Sequence, residues 1–219
     1  MLIAKDSGET STFTPVPPGM HLARCYRVVD LGTQRMEWQG QVKELPKIMV
    51  QFEVHGEDDS GKALLTNKGE PMTISKNFTL SLGEKSNLRR DLQTWRGRDF
   101  TQAELRGFEL KNILDQWAMI SVSKSAGNNG KEYTNIMSIN PVPANIKKAG
   151  LPKGHNEASI FSIRDADMVL FETFSQNLKA KIMSSPEWKE NEGRRYAKEQ
   201  QQSAASKDAF GDMESDVPF

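Results

Sequence analysis

MTISKNFTLSLGEKSNLRRDLQTWRG, residues 72–97, passes from one type of regular structure to another within 26 residues. Residues 72–80 read as a strand with Ile74 and Phe78 on one side. Ser81-Leu82-Gly83-Glu84-Lys85-Ser86 then opens a helix on which Leu88, Leu92 and Trp95 recur at spacings of four and three. That spacing makes one apolar stripe on a helix, leaves Arg89 and Arg90 off it, and ends at Gly97. A helix set among strands separates the possible β-rich architectures, so the flanking segments decide the fold.

Upstream, residues 20–30 read as a first strand closed by Leu31-Gly32. Residues 47–54 alternate, with Ile48, Val50, Phe52 and Val54 on one face and Lys47, Met49, Gln51 and Glu53 on the other: a half-buried strand. A Gly-, Asp- and Lys-rich connection fills 55–70. Downstream, 101–106 suit a short helix, and 117–123 alternate Ala118, Ile120 and Val122 against Trp117, Met119 and Ser121. Residues 124–131 have the Asn and Gly content of a hairpin tip, and a fifth strand over 132–139 is ended by Pro141 and Pro143. Five strands with a helical insertion between the third and fourth is the element order of an OB-fold barrel. The expected class is therefore mainly β with α.

Beyond the barrel, Met168, Phe171, Phe174, Leu178 and Ile182 form a stripe that predicts one helix over 165–183. Ser185-Pro186-Glu187 is an N-cap with Pro at the first helical position, starting a second helix expected to run to about residue 202. The expected organisation is an N-terminal arm (1–18), the barrel (19–143), a helical extension (144–202) and a flexible acidic tail (203–219).

The composition agrees with a body plus appendages. Of 219 residues only 37% are hydrophobic, and the mean hydropathy of −0.61 implies much exposed helix or tail. Formal net charge is zero but unevenly placed: residues 208–219 hold Asp208, Asp212, Glu214 and Asp216 and no base, leaving 29 bases against 25 acids in residues 1–207. A mildly basic body with an acidic tail suits a nucleic-acid binder. The single cysteine, Cys25, excludes an internal disulfide and sits in an apolar run that suits a buried thiol. No apolar stretch approaches a membrane span and the N-terminus lacks a secretory pattern, so a cytoplasmic location and no membrane association are expected. His21, His55 and His155 are too far apart for a recognisable metal site, and no cofactor is expected. Without a Gly-rich phosphate loop, a nucleophile elbow or a His beside an acid partner, the chain does not read as an enzyme.

The last eight residues, Asp212-Met213-Glu214-Ser215-Asp216-Val217-Pro218-Phe219, offer a partner acids, a Pro-restricted backbone and a Phe ring with a carboxylate on the same residue. Such a segment fits an apolar pocket rimmed by Lys or Arg. It resembles the acidic tip of bacterial single-stranded DNA-binding proteins, Asp-Asp-Asp-Ile-Pro-Phe: Asp216, Pro218 and Phe219 match, Val217 replaces Ile, and Met213 and Ser215 interrupt the acids. The element order, Leu31-Gly32, the exit over 136–143 and Ser185-Pro186-Glu187-Trp188 are similar to the OB-fold single-stranded DNA-binding proteins of bacteriophage replication modules. The resemblance implies sequence-nonspecific single-stranded DNA binding in replication or recombination inside a bacterial host, as a monomer or small homo-oligomer. It also implies that Asp212, Glu214, Asp216, Val217, Pro218 and Phe219 recruit host or phage replication and repair enzymes. The alternative is a recombination or replication mediator in which loading a partner dominates and DNA binding is secondary.

Single-stranded DNA is held by cations along its phosphates and by aromatic faces under its bases. Arg24 and Tyr26 share one face of the first strand, and if the small apolar set Ala23, Cys25 and Val29 points inward they face a groove. Lys47 lies on the polar face of the second strand, and Lys76 shares a face with Phe78 on the third. Lys124 and Lys131 flank the hairpin tip, followed by Tyr133, an arrangement resembling the loop that clasps nucleic acid in OB-folds. Trp38 stands in what reads as a polar loop, where stacking would explain it. Phe78 reads equally as core and Tyr26 somewhat less so, and each Lys taken singly reads as a solvated charge.

Overall fold

The computed structural model describes residues 14–38, 40–126 and 132–192. Most of the expected N-terminal arm, Lys131 and the acidic tail lie outside them. β1 (Gly19–Trp38) and β2 (Gln41–His55) form one long antiparallel hairpin. β3 (Thr73–Thr79) pairs with β2, β4 (Trp117–Ala126) with the first part of β1, and β5 (Glu132–Asn140) with β4, all antiparallel. The order across the sheet is β3-β2-β1-β4-β5, and β6 (Ser159–Phe161) runs parallel to Arg27–Val29 beyond the point where β4 leaves β1 at Arg24.

This six-stranded sheet, antiparallel apart from β6, is not closed. No ladder joins β3 to β5 among the described residues, although Lys76 Nζ donates to the Met137 carbonyl across the gap at 3.4 Å. α1 (Asn87–Arg96) packs against both of these strands. Ser86 caps its start by accepting from the Arg89 N–H, and Gly97 ends it in the left-handed conformation. Leu88, Leu92 and Trp95 are buried, as their spacing predicts, and so is Asp91, 2.7 Å from Lys76 Nζ. α2 (Gln102–Arg106) follows with a capping box between Thr101 and Glu104, then a 3-10 turn at Leu110–Ile113.

Two apolar cores result among the described residues. The first fills the inside of the sheet under α1, with Cys25, Val50, Phe52, Ile74, Phe78, Ile120 and Ile136 among its members. Burial pushes the Cys25 thiol pKa upward, as befits an inert core cysteine. The second lies on the opposite face of β1 and β2, where Val29, Leu31 and Met49 meet Phe161, Phe171, Phe174, Ile182 and Trp188. Phe171 and Trp188 stack there with centroids 4.6 Å apart.

Four expectations need correction. The first strand does not close at Leu31-Gly32: β1 continues to Trp38, and the register shift between Asp30 and Gly32 is a bulge. Trp38 therefore ends a strand, opposite Gln41, rather than standing in a loop. The single helix over 165–183 is instead α4 (Met168–Glu172) and α5 (Gln176–Met183). Asp167 and Ser175 each accept hydrogen bonds from helix N–H groups, and this capping chemistry outweighs the continuous stripe. Finally, the extension over 144–202 is not all helical: it begins with the short α3 (Ala144–Ala149) but contains the strand β6. The helix starting at Pro186 does form, over 186–192, with Ser185 Oγ accepting from the Trp188 N–H at 3.3 Å.

Gly32 joins the bulge to that helix. Its φ is +65°, and a Cβ there would stand 2.5 Å from both Ser185 Cβ and Oγ. Gly32→Ala is expected to cost about 1–3 kcal/mol from backbone strain alone. A urea midpoint unchanged from wild type would show that residue 32 is not held in the left-handed conformation.

Candidate nucleic-acid interface

On the face away from the first core β3 exposes Ser75 and Asn77, whereas β2 is largely covered, Met49 by the second core and Glu53 by residues 155–156. In register, Gln51 stands beside Ser75, Met49 beside Asn77, and Lys47 beside Thr79, with Arg27 of β1 completing the Gln51 row. Lys47 is half-buried and donates to Thr79 Oγ1 at 2.8 Å. Burial, and then the nearby Lys181, push its pKa down, since both disfavour the charged form. Lys47, Asn77, Thr79 and Lys85 border a cleft of about 630 Å3 before α1.

Two hairpins project beside this face. β3 pairs with β2 no further than Lys47, β4 leaves β1 at Arg24, and β6 leaves it at Val29. Thr33 and Gln34 still bond Glu187 and the Lys181 carbonyl, and the Pro46 carbonyl accepts from the Leu80 N–H; beyond them the strands over 35–38 and 41–45 pair only with each other among the described residues, a two-stranded ribbon of roughly 13 Å. It exposes Arg35, Met36, Val42 and Lys43, of which sequence reading nominated none. In register Arg35 stands opposite Glu44 and Lys43 opposite Met36, so the two cations lie on opposite faces of the ribbon. The second projection is the end of the β4–β5 hairpin, where Lys124 and Tyr133 are exposed.

The nominated residues separate under this geometry. Lys47, Lys124 and Tyr133 reach the surface, but Lys124 pairs in register with Thr134 and Tyr133 with Ser125. Lys124 and Tyr133 therefore lie on opposite faces of their hairpin and do not form one clasp. Lys124 also pairs with Glu132 at 3.0 Å, an exposed contact worth little. Lys76 is occupied by Asp91 and lies 5.5 Å from the centroid of the Phe78 ring. Phe78 is buried in the first core and cannot act as a stacking platform.

Arg24 and Tyr26 also require correction. Both are buried, although Ala23 and Cys25 face the core as expected. Arg24 stands opposite Glu53 in register and donates to it through Nε at 2.8 Å, and its other nitrogens bond Asp115 and the Asn156 carbonyl. Glu53 is fully buried and accepts four further bonds: His55 Nε2 at 2.9 Å, the His155 N–H at 3.0 Å, and the Asn156 N–H and Nδ2 at 2.8 and 2.7 Å. Burial alone would raise its pKa, but the hydrogen bonds from Arg24, Asn156 and His55 outweigh it and hold the carboxyl well below the usual range. The strap over 154–156 thus seals the face that sequence reading left open. It lies so close that a side chain at Gly154 would overlap the Arg24 guanidinium. Tyr26, at the Cys25/Arg27 bulge, is covered by Arg27, whose guanidinium is 5.3 Å from the Tyr26 centroid and 5.5 Å from that of Phe174.

Trp38 is placed at the ribbon's end by its backbone pairing. Lys131 and the six tail residues Asp212, Glu214, Asp216, Val217, Pro218 and Phe219 lie outside the described residues. No helix among the described residues is long and apolar enough to cross a membrane. Compared with protein-family models and with curated proteins, the chain matches none.

Proposed function

We propose that this chain is a sequence-nonspecific single-stranded DNA-binding protein of a phage replication or recombination module, built on an open OB-type barrel. The observation that carries the reading is the strand order β3-β2-β1-β4-β5 with α1 between β3 and β4, together with two hairpins projecting beside the β2–β3 face. In an OB-fold those hairpins flank the nucleic-acid groove. Arg35, Lys43, Lys47 and Lys124 follow the phosphates, and Tyr133 stacks on a base. The acidic segment ending in Val217-Pro218-Phe219 recruits replication or repair enzymes.

Burial of Arg24, Tyr26 and Phe78 removes three of the nominated contacts, which favours a second reading. In it the fold acts as a mediator that binds DNA weakly alone and tightly with a partner.

Tyr133→Ala and Tyr26→Ala test the placement of the aromatic groups. Tyr133→Ala is expected to leave the melting temperature unchanged and weaken oligonucleotide binding by about 1–3 kcal/mol, one stacked base. Tyr26→Ala is expected instead to destabilise the protein by about 3–5 kcal/mol, the range for buried large aromatic truncations. Equal affinities for wild type and the Tyr133 variant would remove Tyr133 from the interface.

A further inference from the structure

Where β4 begins, at the opposite end from Lys124, a cleft of about 500 Å3 lies between the close of α1, the 3-10 turn and α3, and the DNA reading does not use it. Alternation along β4 turns Ala118 and Ile120 into the first core and leaves the Trp117 ring half-buried at the cleft. That ring is held in place. The Trp117 carbonyl accepts from Trp95 Nε1 at 2.9 Å, and His55 packs against the ring with centroids 4.9 Å apart. Phe108, also half-buried, lines the cleft and is fixed edge-on against Phe100, 5.2 Å away. Two fixed aromatic surfaces open to solvent make a platform for a planar ring and lose little freedom when one stacks there.

The polar groups beside the rings are of two kinds. Asn112 and Gln116 are exposed amides, each with donors and an acceptor to offer. The Asn112 side chain has no partner among the described residues, and Gln116 has only a 3.5 Å bond to the Leu114 carbonyl. Arg98 and Lys147 are exposed cations. Glu104, the one carboxylate lining the cleft, is shared by Arg96 and Arg98, and Lys147 has no carboxylate partner among the described residues. Three cations against one acid favour an anionic occupant.

We propose that this cleft binds a nucleotide, its base stacked on Trp117 and bordered by Phe108, its base edge toward Asn112 and Gln116, and its phosphate at Lys147 and Arg98. Side-chain amides match the mixed donor and acceptor edges of bases. An inorganic anion would use the cations but not the rings, and an apolar ligand would use the rings but leave the cations and amides without partners. A base carrying a phosphate uses all three. The size agrees, since small-molecule sites enclose roughly 300–1,000 Å3. Trp117 and Lys124 are seven residues apart on one strand, roughly 23 Å, so the cleft is separate from the hairpin surface assigned to DNA. A free nucleotide and one unit of a strand that continues past the hairpins present the same chemistry here. The inference goes beyond the DNA-binding reading and stands without it.

The test irradiates the full chain with iododeoxyuridine monophosphate, whose photoproduct attaches to aromatic side chains, and maps the adducts by mass spectrometry. Adducts at Trp117 or Phe108 are expected, saturating with nucleotide and suppressed by excess thymidine monophosphate. Thymidine and inorganic phosphate should each compete about tenfold less well, because each lacks one of the two anchors. Lys147→Glu, at an exposed position, is expected to raise the concentration for half-saturation about tenfold and leave the melting curve unchanged. Oligo(dT) carrying one iododeoxyuridine separates the two sources: adducts in the cleft assign the site to a bound strand, and adducts from the mononucleotide alone assign it to a free ligand. No cleft adduct from the mononucleotide, adducts confined to the hairpins, or adducts that Lys147→Glu leaves unchanged would each overturn the proposal. Failure of poly(dT) to bind would remove the DNA reading and leave the mononucleotide result standing.

Discussion

Glu53→Gln is expected to destabilise the protein by about 3–5 kcal/mol, the range for removing one partner of a buried ion pair. The amide keeps the shape of the side chain but gives the Arg24 guanidinium no charge to pair with. It also turns one acceptor into a donor facing His55 and the 155–156 strap, whose groups are all donors toward Glu53. Strap and second core should loosen together, and chemical denaturation reads the loss. The pH dependence has a definite sign. Because the folded-state pKa of Glu53 lies below its unfolded value, its contribution is complete above the ordinary carboxylate range and erodes as pH falls below about 4. The gap between wild type and Glu53→Gln should therefore narrow on acidification. A gap constant from pH 7 to pH 3 would mean that Glu53 does not act through its charge.

Reversing the charge of three exposed cations, Arg35→Glu, Lys43→Glu and Lys124→Glu together, is expected to lower single-stranded DNA affinity roughly hundredfold at 0.1 M salt. Each phosphate contact contributes about −0.7 to the slope of log K against log salt, so three lost contacts remove about two decades at that concentration. All three residues are exposed, so stability should change by no more than about 0.5 kcal/mol per site. An unchanged affinity, measured by fluorescence titration on a folded variant, would exclude both hairpins from the interface.

The contrast between Phe52 and Glu53 shows what was legible. Alternation placed Phe52 inside and Glu53 on the polar face of β2, and both placements hold. That Glu53 is nonetheless fully buried depends on a strap a hundred residues away, which no local pattern reveals. Arg24 followed the same course: its face of β1 was read correctly, but what covers that face was not. α1 was legible because stripe, Ser86 cap and Gly97 stop agree, each within one turn of the next. The ribbon was missed because its strands show no alternating apolar face; having no sheet neighbours, they do not need one. Lys47, Lys124 and Tyr133 were nominated from charge and hairpin position alone, and all three reach the surface; Arg35 and Lys43 stand in a segment whose pairing no local pattern announced.

Titration with poly(dT) across a salt series tests the central proposal most directly. Four contacting cations, Arg35, Lys43, Lys47 and Lys124, give an expected slope of about −3 in log K against log salt. Mixed-sequence single strands should bind comparably to poly(dT) and duplex more weakly. Salt-independent binding, or a duplex preferred over a single strand, would contradict it.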